Sequence, residues 1–199
     1  VTLFEADPEV GGQFNLARNI PGKEEFHETI RYFLHRIQAT GVDLRLSTAA
    51  DSATLSQFDE VVLATGVTPR VPPIPGIDHV KAISYPDLLS GRRLAGARVA
   101  IIGAGGIGFD VAEFLVQNPP STTLDPARWR AEWGIDATMQ ARAGVEGVKA
   151  RPEPPARQVW LLQRTAGALG RRLGRTTGWI HRASLRRAQV QMLGCSASR

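Results

Sequence analysis

Two short stretches of this sequence carry residue types whose spacing can do chemistry. The first is Gly103-Ala104-Gly105-Gly106-Ile107-Gly108, which follows the apolar run "RVAII" and opens the apolar-periodic run "FDVAEFLVQ". In such a place Gly103 permits a tight turn. Gly105 lets backbone N–H groups come close to a pyrophosphate, and Gly108 lets a helix pack closely on a strand. The chemistry implied is the holding of a dinucleotide; the bland alternative is a tight packing turn. The next strand-like run, "QVWLLQR", ends in Gln163-Arg164. An acid there would suit the free 2′-hydroxyl of NAD, whereas a guanidinium suits a 2′-phosphate through paired, charge-assisted hydrogen bonds, so NADPH is expected. A solvated charge at a strand end is the alternative for Arg164.

The second stretch is Glu5, which closes the opening run "VTLF" and precedes Gly11-Gly12. An acid at the end of such a strand can take both hydroxyls of a ribose, Gly12 lets the chain pass near a cofactor, and Ala64-Thr65-Gly66 end a further apolar run where a pyrophosphate would lie. These residues together read as part of an FAD site. Its glycine loop belongs about 20 residues before the acid. The sequence starts at Val1, so the expectation is that the rest of the site stands upstream in a longer protein.

The elements that must position these residues follow from periodicity. "GKEEFHETIRYFLHRIQATG" sets Phe26, Ile30, Phe33, Leu34 and Ile37 at helical spacing and stops at Gly41. "VDLRLS" alternates at period two, and "FDEVVLATG" is expected as a buried strand running into a glycine turn. The proline-rich "TPRVPPIPGIDH" suits a connection between domains. From Val99 a second strand, turn and helix begin. Residues 118–156 interrupt that unit as an insertion, and "WIHRASLRRAQVQML" is expected to be helical first and extended afterwards. The fold class is therefore α/β, with two Rossmann-like (FAD/NAD(P)-binding) units of three-layer sandwich type, both incomplete. The expected divisions are a partial FAD-binding domain over 1–95 and an NADPH-binding domain over 96–199, truncated at its C-terminus.

Composition narrows the function classes. Of 199 residues, 43% are hydrophobic, enough for an ordinary core. No apolar run approaches the roughly 20 residues of a membrane helix, and the start lacks the layout of a signal peptide, so a cytoplasmic location is the expectation. The single cysteine, Cys195, excludes an intrachain disulfide, a CxxC redox pair and a cysteine-ligated iron–sulfur cluster within these residues. Redox chemistry would have to come from bound organic cofactors. His27, His35, His79 and His181 lack metal-ligand spacing and read as surface or packing residues, so no metal site is expected. The net charge of +5 sits late: Arg164, Arg171, Arg172, Arg175, Arg182, Arg186 and Arg187 crowd a region with no acid after Glu153. A phosphorylated cofactor or an acidic neighbouring domain fits that charge better than nucleic acid, for which no motif is present.

"EVGGQFNLARNIPGKEEFHET", "GAGGIGFDVAEFL", "EWGID" and "GRTTGWIHR" together resemble the carboxy-terminal portion of the bacterial NADPH-dependent 2,4-dienoyl-CoA reductases, up to about Leu193. Flavin enzymes of the trimethylamine dehydrogenase type share the glycine signatures. The resemblance implies a multi-cofactor enzyme of fatty-acid metabolism. An amino-terminal β/α barrel holds FMN, a 4Fe-4S cluster and the dienoyl-CoA site, and is followed by an FAD domain interrupted by an NADPH domain. It implies that Glu5, Gln13 and Lys23 contact FAD, that the backbone near Ala50 meets the adenine, and that Gly105, Gly106 and Arg164 serve NADPH. The barrel, its cluster cysteines and its catalytic acid are not among these residues, so no catalytic side chain is expected here and the missing barrel would be the partner. The tail after about Leu193 departs from the family, as a truncated or frameshifted reading frame would. A freestanding NAD(P)H:flavin reductase and a non-catalytic NADPH-sensing module are the alternatives.

Overall fold

The computed structural model describes residues 1–195, which divide into two compact units. The first comprises Val1–Asn19 and Lys23–Ala82. Strand β1 (Thr2–Phe4) is followed by helices α1 (Gln13–Ala17) and α2 (Phe26–Ala39), strand β2 (Asp43–Arg45) and the short helix α3 (Ser52–Leu55). The strands pair in parallel, with Leu3 opposite Leu44. Helix α2 forms where the apolar spacing required it and buries Ile30. It ends at Gly41, whose φ of 66° reverses the chain so that the N–H of Val42 returns to the carbonyl of Ile37. Phe14 and Phe26 meet edge to face with centroids 4.7 Å apart, joining α1 to α2.

The strand expected in "FDEVVLATG" is absent: residues 60–74 have no regular structure, and Val62 and Leu63 are 90% and 77% exposed. The reason lies in the ladder. A strand holds only where a neighbour satisfies its backbone groups, and this unit's described sheet consists of β1 and β2 alone. A β-favouring sequence without a partner here stays irregular and exposed.

The second unit comprises Ile20–Gly22 and Ile83 onward. Helix α4 (Tyr85–Leu89) is capped by Ser84, whose hydroxyl accepts the N–H of Asp87 at 3.3 Å. Strand β3 (Arg98–Ile102), helix α5 (Gly106–Val116), helix α6 (Pro126–Trp133), strand β4 (Gln158–Gln163), helix α7 (Gly178–Arg187) and strand β5 (Gln191–Gly194) follow. The three strands form a parallel sheet in the order β3-β4-β5. The helix-then-strand reading of 179–193 is what the chain adopts. Of the divergent tail, Gly194 ends β5 and the N–H of Cys195 still bonds the carbonyl of Gln163, at 2.9 Å; residues 196–199 lie outside the described residues.

The core of this unit joins α5 to the sheet and to α7. Phe109, Ala112 and Leu115 of α5, Leu161 of β4 and Leu185 of α7 are each 1% exposed or less. Burying one such large apolar side chain is worth about 1.5–3 kcal/mol. The helical face of the sheet carries Val159 and Leu161, whereas on the opposite face Ile102 and Leu193 remain 65% and 50% exposed.

The insertion leaves and re-enters at one place. The N–H of Ala156 bonds the carbonyl of Val116 at 2.9 Å, and the Asn118 amide donates to the carbonyl of Pro154 at 2.8 Å. Within it Asp125 caps α6 by accepting the N–H groups of Ala127 and Arg128, with Pro126 at the first helical position. Asp136 accepts three backbone N–H groups, those of Thr138, Gln140 and Ala141, together with the Thr138 hydroxyl. These bonds, the Ala141 N–H foremost, hold its carboxyl well below the usual carboxylate range. The insertion is tied to α7 by Arg187, whose guanidinium lies 4.2 Å from the Trp133 ring centroid and also donates to the carbonyl of Glu132.

Candidate dinucleotide sites

In the second unit the glycine turn stands between β3 and α5, at the carboxyl end of a parallel strand. Gly103 has a φ of 117°, open to glycine and costly for other residues, and its N–H bonds the carbonyl of Leu162 at 2.9 Å, tying the turn to β4. A Cβ on Gly108 would lie 1.9 Å from the carbonyl oxygen of Gly103, so glycine is demanded there by the packing of α5 on its own strand. Gly105 caps α5 and Gly106 is its first residue. A Cβ built on either meets nothing within 4 Å among the described residues. Backbone conformation therefore explains Gly103 and packing explains Gly108, but neither explains Gly105 and Gly106, which leave the first amides of an 11-residue helix open to an anion. A pyrophosphate fits that cradle. Arg164 is the first residue after β4 and is exposed.

His181, read in sequence as surface or packing, has a specific partner: its Nδ1 lies 2.8 Å from Oε1 of Glu113, joining α7 to α5. One helical histidine in the sequence gave no signal of this, because Glu113 is 68 residues away.

In the first unit Glu5 leaves β1 with its N–H on the carbonyl of Arg45, at 3.0 Å, and its own carbonyl accepting the N–H of Thr48 at 2.9 Å. Its Oε1 accepts the N–H of Asp7 at 3.0 Å, which holds the carboxylate over the end of the strand. Because β1 and β2 are parallel, this brings Glu5 to the same sheet end as the segment running through Thr48 to Ala50, itself exposed. Gly12 caps α1 with a φ of 49°, and a Cβ there would also meet open space. Gly11, by contrast, packs against Asn15, whose side-chain amide donates to the carbonyl of Val10 at 3.1 Å and whose Oδ1 is buried without a partner. Gln13 begins α1, and Lys23 is half-buried ahead of α2. An acid and an open glycine beside a strand end suit a ribose and a phosphate, so these residues fit part of a flavin dinucleotide. Ala64, Thr65 and Gly66 are exposed in the irregular stretch and do not end a strand.

The late arginines divide by role. Arg187 is spent on the insertion and Arg182 donates to the carbonyl of Gly170 at 3.2 Å, whereas Arg171, Arg172, Arg175 and Arg186 are exposed.

Residues 5–193 match the model of the family described as pyridine nucleotide-disulphide oxidoreductase. The chain belongs to that family. Its members are NAD(P)H-dependent flavoprotein oxidoreductases, and the α/β fold with parallel sheets is theirs. Among curated proteins the chain is 32% identical to a metal reductase of Desulforamulus reducens over 97% of its own length and 28% of that protein's. It is 34% identical to a bilirubin reductase of Mediterraneibacter gnavus over 59% of its length and 19% of that protein's. Among solved structures, a 2-naphthoyl-CoA reductase complex superposes with a TM-score of 0.71 and 23% identity, covering 98% of this chain and 24% of that one. The chain thus spans between about a fifth and somewhat over a quarter of the length of these three proteins, 28%, 19% and 24%. The family name mentions disulphide chemistry, but this sequence has one cysteine, Cys195.

Proposed function

We propose that this chain is the electron-entry portion of an NADPH-dependent flavoprotein reductase of the 2,4-dienoyl-CoA reductase type. The observation that carries the reading is that one chain within this family has a strand-end acid beside an open glycine in one unit, and an open glycine turn ahead of a helix in the other. Glu5 and Gly12, with Gln13, Lys23 and the backbones of Ala50 and Ala64 to Gly66, would hold FAD. Gly105 and Gly106, on the turn that Gly103 and Gly108 shape, would hold the pyrophosphate of NADPH, and Arg164 would select its 2′-phosphate. When bound, the two cofactors supply hydride transfer from nicotinamide to flavin. The chain's part is positioning, which makes that transfer effectively intramolecular, and no side chain here needs to act as acid or base. The acceptor end of the complete protein, with FMN, a 4Fe-4S cluster and a dienoyl thioester, would lie in a barrel outside this sequence.

The test is to incubate the purified chain with FAD, remove free flavin and follow the visible flavin spectrum anaerobically. Retained flavin that bleaches with NADPH supports electron entry. NADPH binding without flavin retention overturns it in favour of a nucleotide-sensing module.

A further inference from the structure

Among the described residues one side-chain atom is buried without a hydrogen-bond partner, Oδ1 of Asn15 on α1. Leaving an acceptor buried and unpaired costs more than one ordinary hydrogen bond returns, and the described contact of the same amide is a single bond, from Nδ2 to the carbonyl of Val10 at 3.1 Å. Asparagine is also a poorer helix former than alanine, so at this position it weakens the short helix that carries it. What it does instead is grip the turn ahead of α1. Gly11 has a φ of 128° and Gly12 a φ of 49°, two successive residues with the positive φ that favours glycine. A Cβ on Gly11 would come within 2.8 Å of both Oδ1 and Nδ2 of Asn15 and 2.9 Å of its Cγ, so the amide lies directly against the Gly11 backbone. The N–H of Asn15 bonds the carbonyl of Gly12 at 3.1 Å. One residue thus touches Val10, Gly11 and Gly12 in turn, while a Cβ on Gly12 would meet nothing within 4 Å.

We propose that Asn15 is a positioning residue for the flavin dinucleotide, holding the Gly11–Gly12 turn in the one shape that leaves the Gly12 backbone open to the cofactor. This rests on the reading of Glu5 and Gly12 as part of a flavin site. Two successive glycines have wide backbone freedom, and a turn free to sample it must be ordered each time a cofactor binds. Asn15 orders it beforehand, which raises affinity without a new contact to the ligand. The amide suits the task because its N–H fixes the Val10 carbonyl and its flat face admits a glycine at close range. Alanine supplies neither. A carboxylate has the shape but no N–H, and would set an acceptor against the Val10 carbonyl. Asn15 acts through the turn and touches no reacting atom, so its loss is expected in binding and not in the fold.

The test compares the full chain with Asn15→Ala and Asn15→Asp by two readouts, the urea midpoint and the FAD affinity measured from quenching of flavin fluorescence. Asn15→Ala should keep or raise the midpoint, because it removes the unpaired acceptor and favours the helix, and should weaken FAD about tenfold or more. Asn15→Asp should weaken FAD as well, although it repeats the shape of the side chain, and both variants should bind NADPH as the parent does. FAD affinity within twofold of the parent in Asn15→Ala overturns the proposal and leaves the flavin reading in place. A loss of FAD binding that matches the fraction of chain unfolded in either variant also overturns it, since Asn15 would then serve the fold alone. So does full retention of FAD by Asn15→Asp, which would show that the N–H to Val10 holds nothing. If the parent chain is folded and binds NADPH but does not quench flavin fluorescence, the flavin reading itself fails, and this proposal with it.

Discussion

A Cβ on Gly108 would stand 1.9 Å from the carbonyl oxygen of Gly103, whereas a Cβ on Gly105 would meet nothing within 4 Å. The same motif therefore contains a glycine that packing demands and a glycine that packing does not. Gly108→Ala should force α5 off β3 and destabilise the chain by about 1–3 kcal/mol or more, read as a lower urea midpoint. Gly105→Ala should leave that midpoint nearly unchanged while weakening NADPH about tenfold or more, near 1.4 kcal/mol, by filling the space over the helix amides. If Gly105→Ala binds NADPH as well as the parent chain, the cradle is not a pyrophosphate site.

Arg164 stands exposed just past β4, so its removal should cost binding without costing fold. Arg164→Ala should weaken NADPH more than NADH, by about 1.5–3 kcal/mol, the range for a hydrogen bond to a charged group. Equal losses for the two coenzymes, measured by calorimetry, would remove Arg164 from the site.

Asp136 organises the turn that follows α6, and its carboxyl is held below the usual range by the N–H groups it accepts. A group depressed in the folded state stabilises above its unfolded pKa, about 3.9, and that stabilisation is lost as pH falls through the folded value. Asp136→Ala should therefore lower the melting temperature at pH 7, and the gap between variant and parent should narrow below about pH 4. A gap that is constant with pH would show that the charge on Asp136 contributes nothing.

Arg187 joins α7 to the insertion through Trp133 and the carbonyl of Glu132. Arg187→Ala should cost about 0.5–2 kcal/mol and speed limited proteolysis within residues 119–153, while leaving the glycine turn able to bind nucleotide. Unchanged cleavage would mean that the pinched ends at Val116 and Ala156 hold the insertion unaided.

Much of the second unit was legible because its signals are local. A glycine motif flanked by a β-rich run and a helical run specifies strand, turn and helix from neighbours in sequence, and α2 likewise declared itself through the spacing of Ile30 and Ile37 and the stop at Gly41. The segment "FDEVVLATG" misled for the opposite reason. Its residues favour a strand, but a strand is a property of a pair, and the described residues supply no neighbour for it. His181 and Glu113 were invisible as a pair because contact between two helices far apart in sequence leaves no local pattern.

The sequence by itself determined the family, the presence of an acid at Glu5 and of the glycines from Gly103 to Gly108 next to strand-forming runs, and the excess of arginine near the end, since each depends on residue type and short-range spacing. Only the tertiary structure decided which glycines serve packing and which face open space, and which arginines are bound internally and which are exposed. Those distinctions arise from distances between atoms on different elements, and steric exclusion and charge pairing act through space.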